Sequence, residues 1–236
     1  MSVVPIGIVG CGKIAQDQHL PAIAATEGFE LVAVADPVTT MEGLPSYPGL
    51  AEMLAAHPEI SAVSLCMPPV HRAEAAREAI RMRKHVLLEK PPCASIVEAW
   101  ELVAAAEKCG ITLFTAWHSQ FGAAVPAARD WLADRSIESV RVTWKEDVRF
   151  WHPGQAWIWQ EGGFGVFDPG INALSILSMA LPGELRLVDA ELSVPANCAT
   201  PIAARLSLSL DGKIPVSAEF DFRQAGPQSW DIEIRT

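Results

Sequence analysis

Apolar runs and helical patterns take turns along the first half of the chain. Segments whose apolar residues have helical spacing occupy 13–26, 50–57, 71–83 and 96–109. Aliphatic and β-branched residues fill the intervening runs, at 3–9, 30–35, 60–66, 85–88 and 111–115. Strands that alternate with helices form a doubly wound parallel sheet, which binds ligands at the carboxyl ends of its strands. The pattern therefore predicts an α/β domain of Rossmann type over residues 1–120.

The pattern changes after residue 120. Helical spacing returns at 123–133 and 168–179, and apolar and polar residues alternate with a period of two at 139–147, 185–194, 203–210, 214–222 and 229–235. Period-two alternation is typical of an antiparallel sheet that is covered on one face. We therefore predict an α+β domain over residues 121–236, with a mainly antiparallel open sheet. The last strand pattern has no turn after it, so we expect further chain to complete this domain.

The first strand runs directly into a glycine-rich turn. The spacing Gly10-x-Gly12-x-x-Ala15 fits the dinucleotide fingerprint, in which the glycines permit a tight turn and a close approach of a pyrophosphate. The following helix start would present free amides and a partial positive charge to the phosphates. The candidate cofactor-binding residues of this turn are Gly10, Cys11, Gly12, Lys13 and Ile14.

An acid closes the second strand. Asp36 follows an apolar run, where its carboxylate can accept the hydroxyl protons of an adenosine ribose and would repel a 2′-phosphate. The position favours NAD over NADP, with NADP kept as the alternative. The competing interpretation is that Asp36-Pro37 only begins a turn.

Composition narrows the class of protein. The chain has 236 residues, is 50% hydrophobic and carries a formal net charge of -10, with no basic stripe for nucleic acid. We see no signal peptide and no apolar run of about 18 residues, so we expect a cytoplasmic protein without a membrane partner. The five cysteines are scattered and the six histidines lack metal spacing. We expect reduced cysteines and no metal.

A lysine follows the fourth strand. Lys90 stands between Glu89 and Pro91, in a stretch that proline stiffens. An ammonium at a strand end can bind a substrate hydroxyl and stabilise the alkoxide that develops as hydride leaves. The alternative is a solvated lysine that pairs with Glu89.

These motifs together resemble the Gfo/Idh/MocA family of nicotinamide-dependent sugar and polyol oxidoreductases. The resemblance rests on Gly7–Ala15, on Met67-Pro68-Pro69-Val70-His71, and on the Glu-Lys-Pro of residues 89–91. It implies a catalytic lysine at Lys90 and a second domain with an open sheet. The cofactor contacts that we expect from this pattern are Pro68, His71, Glu89 and Lys90.

Many members of this family carry an Asp-x-x-x-His pair on one helix. The matching positions here are Asp168 and Asn172, which would share a helix face. Asp168-Pro169 also has the form of an N-cap followed by the first helical residue. Because Asn172 cannot titrate, either Asp168 or Lys90 must take the role of the proton acceptor.

Tryptophans are concentrated in the second half of the chain. Aromatic faces stack on the apolar face of a pyranose, and polar neighbours bind its hydroxyls. We expect most of the tryptophans to pack in the core and only two or three to contact substrate. The candidate substrate-binding residues are His118, Glu146, Trp151, His152, Asp168, Asn172 and Trp230.

The run from Trp157 to Leu174 resembles a branch of the family that oxidises aldoses. The expected activity is transfer of a hydride from C1 of a pyranose, such as L-arabinose or D-galactose, to give the aldonolactone. Two alternatives are a polyol or inositol dehydrogenase and a non-catalytic, NAD-binding regulator that responds to sugar. An exposed face of the second sheet would suit a homodimer.

Overall fold

The computed structural model describes residues 3–236 and contains two compact units. The first unit ends at Ala116 and the second is Trp117–Thr236, each with a sheet of its own. The domain boundary that we place at residues 120 and 121 stays a prediction.

The sheet of the first unit has six parallel strands in the order β3-β2-β1-β4-β5-β6. The direction of strand succession reverses between β1 and β4, and such a switch point is where doubly wound sheets bind their ligands. The Rossmann-type sheet predicted from the sequence is therefore confirmed. Its strands are β1 (Val4–Val9), β2 (Phe29–Ala35), β3 (Ser46–Tyr47), β4 (Ala62–Leu65), β5 (His85–Glu89) and β6 (Leu113–Ala116).

Both faces of this sheet are covered. Successive residues of a strand point to opposite faces, and Ile8 and Val9 accordingly lie in different buried clusters. Burial on both faces explains why these strands are continuously apolar. The helices of the unit are α1 (Leu20–Ala25), α2 (Leu50–Ala56), α3 (Pro69–Arg81) and α4 (Ile96–Cys109).

The helix predicted for 13–26 is present over residues 13–25, but it contains a π-helical turn, Ala15–His19, ahead of α1. Pro21 lacks an N–H group and cannot continue the α-helical hydrogen bonds back into the preceding turn. The wider turn brings His19 into the interior, where it is buried.

The sheet of the second unit has five strands in the order β11-β7-β10-β9-β8. Three neighbouring pairs are antiparallel and one, β7 with β10, is parallel. The mainly antiparallel sheet predicted from the sequence is confirmed, with this one parallel pair in addition. The strands are β7 (Ser139–Lys145), β8 (Leu185–Ser193), β9 (Ala203–Leu210), β10 (Ile214–Asp221) and β11 (Ser229–Arg235).

One face of this sheet carries the core of the second unit. On β7, Val140 and Val142 are buried in that core, while Arg141 between them is exposed. This alternation follows the period-two pattern of the sequence. The helices of the unit are α5 (Val125–Leu132), the short α6 (Val148–Trp151) and α7 (Phe167–Ala180).

The predicted N-cap role of Asp168 is wrong. Helix α7 begins at Phe167 with Val166 as its N-cap residue, so Asp168 lies inside the first turn. Gly165 adopts a left-handed conformation (φ +51) in which an added Cβ would lie 2.2 Å from the carbonyl oxygen of Pro201. The N–H of Val166 donates to that same oxygen at 2.8 Å, and the helix therefore starts two residues earlier than Asp168-Pro169 suggests.

Candidate active site

In the glycine turn, Gly10 packs closely against the protein and Gly12 faces open space. Gly10 has φ +89, and an added Cβ would lie 2.6 Å from the backbone nitrogen of Met67. Gly12 is exposed, and an added Cβ there would meet nothing within 4 Å. The turn thus leaves room beside Gly12 for a pyrophosphate to approach the backbone, as the sequence motif requires. The residues present fit a dinucleotide.

Asp36 joins the end of β2 to this turn. Its Oδ2 accepts the N–H of Cys11 at 2.8 Å, and its Oδ1 accepts the N–H groups of Val38 at 2.9 Å and Thr39 at 2.8 Å. Burial would raise the pKa of this carboxyl, but the three backbone donors lower it below its usual value. Asp36 is therefore ionised at neutral pH. It begins a turn, as the competing interpretation holds, and still has lone pairs for ribose hydroxyls.

The other residues predicted in this region lie around the same strand ends. Cys11 is buried, and its burial, with Asp36 and Cys66 nearby, raises the pKa of its thiol to about 11. A thiol that stays protonated suits packing in the turn better than reactivity. Lys13 is exposed and pairs with Asp17, Ile14 is half-buried, Pro68 precedes α3, and His71 is exposed in the first turn of α3.

The segment that carries Lys90 is held from two sides. Glu89 is the last residue of β5, and its Oε2 accepts the backbone N–H of Lys90 at 3.0 Å. The buried guanidinium of Arg72 donates to the carbonyl oxygens of Glu89, at 2.6 Å, and of Pro91. The peptide bond between Lys90 and Pro91 is cis. The hydrogen bonds from Arg72 and to Glu89 fix the backbone on both sides of the lysine.

A carboxylate and three indoles form a cluster in the second unit. Glu146 follows β7 and is buried, and its Oε1 accepts the N–H groups of Trp144 and Trp230 at 2.9 Å each. The ring of Trp230 lies 6.0 Å from that of Trp144 and 5.7 Å from that of Trp151. Trp151 and Trp230 keep exposed surface, so the cluster presents aromatic faces beside a buried acid.

Asp168 lies against an imidazole within the same unit. Its Oδ2 is 3.4 Å from Nε2 of His152, the residue that closes α6. Burial raises the pKa of the nearby Glu146 carboxyl, and the charge of Asp168 adds to this effect, while the two indole donors and His152 oppose it. The structure thus groups Glu146, His152 and Asp168, three of the residues predicted to bind substrate.

Two further predicted residues lie on or near α7. Asn172 is half-buried one helical turn after Asp168. His118 begins a 3-10 turn, His118–Phe121, which is joined to α7 because the side chain of Gln120 donates to the carbonyl oxygen of Ser175 at 3.2 Å. The roles of the catalytic, cofactor and substrate residues all stay predictions.

Sequence reasoning missed several polar side chains of these sites. His19, Ser64 and Arg72 are buried around the segment that carries Lys90, and Gln155 contacts His152. Of these residues, only Arg72 could have been identified from the local sequence, because it is a charged residue on the apolar face of an alanine-rich helix. The others bond to partners that are far away in sequence or are placed by an irregular loop.

Two negative findings concern residues 3–236, the part of the chain that the structure describes. No group of three or more His, Cys, Asp or Glu side chains there is arranged to hold a metal ion. None of the helices in that range is both long and apolar enough to span a bilayer. All five cysteines are free thiols.

The fold and the glycine turn define a dinucleotide-binding protein, and the comparisons show that the chain belongs to the Gfo/Idh/MocA family of oxidoreductases. The model of that family, described as an oxidoreductase family with an NAD-binding Rossmann fold, matches residues 4–116. The chain is 47% identical to a galactose 1-dehydrogenase from Pseudomonas fluorescens over 238 residues, which is all of this chain and 76% of that protein. The family resemblance inferred from the sequence is confirmed.

Solved structures agree with this assignment. The crystal structure of a D-galactose-1-dehydrogenase from Rhizobium etli is 54% identical and superposes with a TM-score of 0.93, over 98% of this chain and 75% of that one. The 3-ketoreductase KijD10 from Actinomadura kijaniata, solved with NADP and TDP-benzene, is 23% identical with a TM-score of 0.87, over 99% of this chain and 74% of that one. At that identity the second match shows the fold alone.

Proposed function

We propose that this chain is an NAD(P)-dependent aldose 1-dehydrogenase that oxidises C1 of a pyranose, such as D-galactose or L-arabinose, to the aldonolactone. The observation that carries the proposal is the cluster of Glu146, His152 and Asp168 beside exposed indoles. The names of the two most similar relatives above support the same reaction.

The tryptophan cluster has the chemistry to bind a sugar ring. The exposed faces of Trp151 and Trp230 can stack on the C–H face of a pyranose. Glu146 Oε1 is held by two indole N–H groups, which leaves Oε2 to accept from sugar hydroxyls. A buried acid that is fixed by aromatic donors selects both the position and the orientation of a hydroxyl.

His152 is arranged to take a proton from Asp168. Gln155 Oε1 accepts the indole N–H of Trp157 at 3.2 Å and lies 3.1 Å from Nδ1 of His152. Because a tryptophan can only donate, this atom is the amide oxygen, and Nδ1 of His152 must carry a hydrogen. Nε2 of a neutral His152 is then an acceptor that faces Asp168.

The imidazole beside Asp168 belongs to His152 in this chain, and not to the residue four positions after Asp168. Asn172 stands where many family members have a histidine, and it can orient a hydroxyl but cannot move a proton. In our proposal Asp168 accepts the proton of the C1 hydroxyl and passes it to Nε2 of His152, while the hydride leaves C1. Asp168 is thereby preferred to Lys90 as the proton acceptor.

Lys90 has the complementary role in the proposal. Its ammonium donates a hydrogen bond to the C1 oxygen and stabilises the negative charge that develops there. The nicotinamide, when bound, supplies a hydride acceptor for C1. The turn at Gly10–Gly12 and the carboxylate of Asp36 hold the pyrophosphate and the ribose of the dinucleotide.

Two other functions are weaker candidates. A polyol or inositol dehydrogenase of the same family is disfavoured because Asn172 replaces the usual histidine. A non-catalytic regulator would need neither an ammonium at the end of β5 nor a carboxylate paired with an imidazole, and this chain has Lys90, Asp168 and His152.

A substrate and cofactor screen tests the proposal directly. The purified protein is mixed with NAD or NADP and with D-galactose, L-arabinose, D-glucose or myo-inositol, and the absorbance of the reduced nicotinamide is followed. We expect turnover with the two galacto-configured sugars and a lactone product in the NMR spectrum. One exocyclic CH2OH is worth about 1–3 kcal/mol, so both sugars should react at rates within about 200-fold of each other.

The other outcomes of the screen identify the rivals. Turnover of myo-inositol without turnover of any aldose would replace the proposal with a polyol dehydrogenase. Clear binding of NAD without turnover of any sugar would favour the regulator.

Asp36 is expected to set the cofactor preference. Replacing it by serine or asparagine should lower the ratio of kcat/KM with NAD to kcat/KM with NADP by about tenfold or more. The loss follows because a hydrogen bond to a charged group is worth about 1.5–3 kcal/mol and because the repulsion of a 2′-phosphate disappears. Initial rates with both cofactors measure the ratio.

The two substitutions control for damage to the turn. Asp36→Asn removes the charge and keeps one acceptor oxygen, either for the N–H of Cys11 or for those of Val38 and Thr39, whereas Asp36→Ser leaves only a shorter hydroxyl. A cofactor ratio that stays at the wild-type value in Asp36→Asn would mean that the ribose is recognised elsewhere.

A further inference from the structure

Besides Arg72, three polar side chains are buried in the first unit without a part in the proposed reaction. The exposed fractions are 7% for His19, 5% for Glu89 and 0% for Ser64. Burial of a polar or charged group is costly unless the group is fully hydrogen-bonded. A cluster of this kind, in which Glu89 directly precedes Lys90 in sequence, therefore calls for a physical explanation.

The three side chains form a continuous chain of hydrogen bonds. Nδ1 of His19 lies 2.9 Å from the hydroxyl of Ser64, and Nε2 lies 2.8 Å from Oε1 of Glu89. The second oxygen of Glu89 accepts the backbone N–H of Lys90 at 3.0 Å. Both ring nitrogens of His19 and both oxygens of Glu89 are thus engaged, and the chain ends at the lysine.

The central contact is an ion pair. Burial would lower the pKa of the His19 imidazole, but its interactions with Cys66 and Glu89 raise it to about 10. Burial would raise the pKa of the Glu89 carboxyl, but His19 and Lys90 hold it below its usual value. At neutral pH His19 is an imidazolium, which donates from both nitrogens, and Glu89 is a carboxylate.

The chain of bonds crosses three elements of the first unit. His19 ends the π-helical turn after Gly10–Gly12, Ser64 lies on β4, and Glu89 ends β5. Arg72 fixes the carbonyl groups on either side of Lys90, and the His19–Glu89 pair fixes its N–H. The N–H of Lys90 and the carbonyl groups of the residues before and after it are therefore all held by buried side chains.

We propose that His19 is a positioning residue for Lys90, which it holds through the carboxylate of Glu89. A lysine side chain has many rotamers. The position of the Lys90 backbone therefore determines whether the ammonium can reach the reacting oxygen. The inference rests on the proposed role of Lys90 in sugar oxidation. Misplacement of a catalytic group by about 1 Å can cost about 100-fold in rate.

Two substitutions at His19 should lower kcat to different extents. His19→Leu fills a similar volume without a hydrogen-bond donor and should lower kcat by about 10- to 100-fold. His19→Gln can still donate to Glu89 and should recover part of that loss. In both variants we expect the affinity for NAD, measured by fluorescence titration of the folded protein, to change by less than about threefold.

His57→Gln is the matched control. His57 also bonds a hydroxyl, that of Tyr47 at 2.9 Å, and a carboxylate, that of Glu59 at 3.0 Å. It closes α2 just before β4 begins, at the amino-terminal edge of the sheet and away from Lys90. This variant should keep the wild-type kcat.

A double-mutant cycle separates positioning from general damage. If His19 acts only through Lys90, then His19→Leu should cost little further rate in a protein that already carries Lys90→Ala. Losses that multiply independently in the double variant would overturn the proposal.

Hydrogen exchange gives a readout that does not depend on turnover. The backbone amide of Lys90, followed by NMR in protein labelled with 15N-lysine, should exchange faster in His19→Leu than in the wild type. An unchanged exchange rate would also overturn the proposal. If the wild type oxidises no sugar, the exchange experiment still decides whether His19 holds Lys90, so failure of the proposed function remains distinguishable.

Discussion

Replacing Lys90 by alanine is expected to lower kcat about a thousandfold while the affinity for NAD changes by less than about threefold. The ammonium is the proposed donor to the C1 oxygen, and loss of one such donor costs about 10²- to 10³-fold in rate. Binding of the dinucleotide depends mainly on the turn at Gly10–Gly12 and on Asp36, so it should survive. Steady-state kinetics with D-galactose and a fluorescence titration with NAD measure the two quantities.

Two further variants give this experiment its controls. Lys90→Met keeps the apolar stem and removes only the charge, so it should lose nearly as much activity as alanine. Lys108→Ala removes an exposed lysine from the last turn of α4 in the same unit and should leave kcat unchanged. An Lys90→Met enzyme that retains the wild-type kcat would remove the ammonium from the mechanism.

Replacing Asp168 by asparagine is expected to lower kcat by about 10²- to 10⁴-fold, the usual contribution of a positioned acid or base. Asparagine has the same shape, and its amide can donate to Nε2 of His152, so the local packing is retained. It cannot accept a proton. The measurement is the initial rate of NAD reduction at saturating sugar.

The control for Asp168 comes from the same unit. Asp189→Asn makes the same chemical change on the exposed edge strand β8 and should keep the wild-type rate. His152→Gln should lose less than Asp168→Asn, because the primary acceptor remains. If Asp168→Asn were as active as the control, the proton would have to leave through another group.

Local signals in the sequence were sufficient to predict most of the fold. Helix α4 has the predicted bounds, Ile96–Cys109, because Ser95 and Glu98 form a capping box and Gly110 ends the helix in a left-handed conformation. The five parallel strands predicted in the first unit are apolar on both faces and are bounded by turn residues. Period-two alternation located the strands of the second sheet for a similar reason.

Strand order, pairing direction and the start of α7 could not be predicted from local sequence patterns. Alternation states which face of β7 is buried, but it does not state that β7 lies between β10 and β11 or that its pairing with β10 is parallel. The start of α7 depends on a contact with Pro201, which no local pattern encodes.

Some residues of the candidate sites could be identified from local sequence, and others could not. Residues that belong to contiguous motifs, such as Gly10, Asp36 and Lys90, could be identified directly. His19 could not, because its partner Glu89 is 70 positions away in the chain. His152 was predicted to bind substrate, but its contact with Asp168 was not predicted, because His152 follows the short helix α6 and lies outside α7.

The placement of β7 between β11 and β10 affects how the protein is made. Its two neighbours, Ile214–Asp221 and Ser229–Arg235, begin about 75 and 90 residues after it, which is several seconds of translation. Until then Val140 and Val142 have no partner strand, and closing so long a loop slows folding. The segment next to Glu146 is thus among the last to be ordered on the ribosome, and it is where a stalled nascent chain would be most exposed to aggregation.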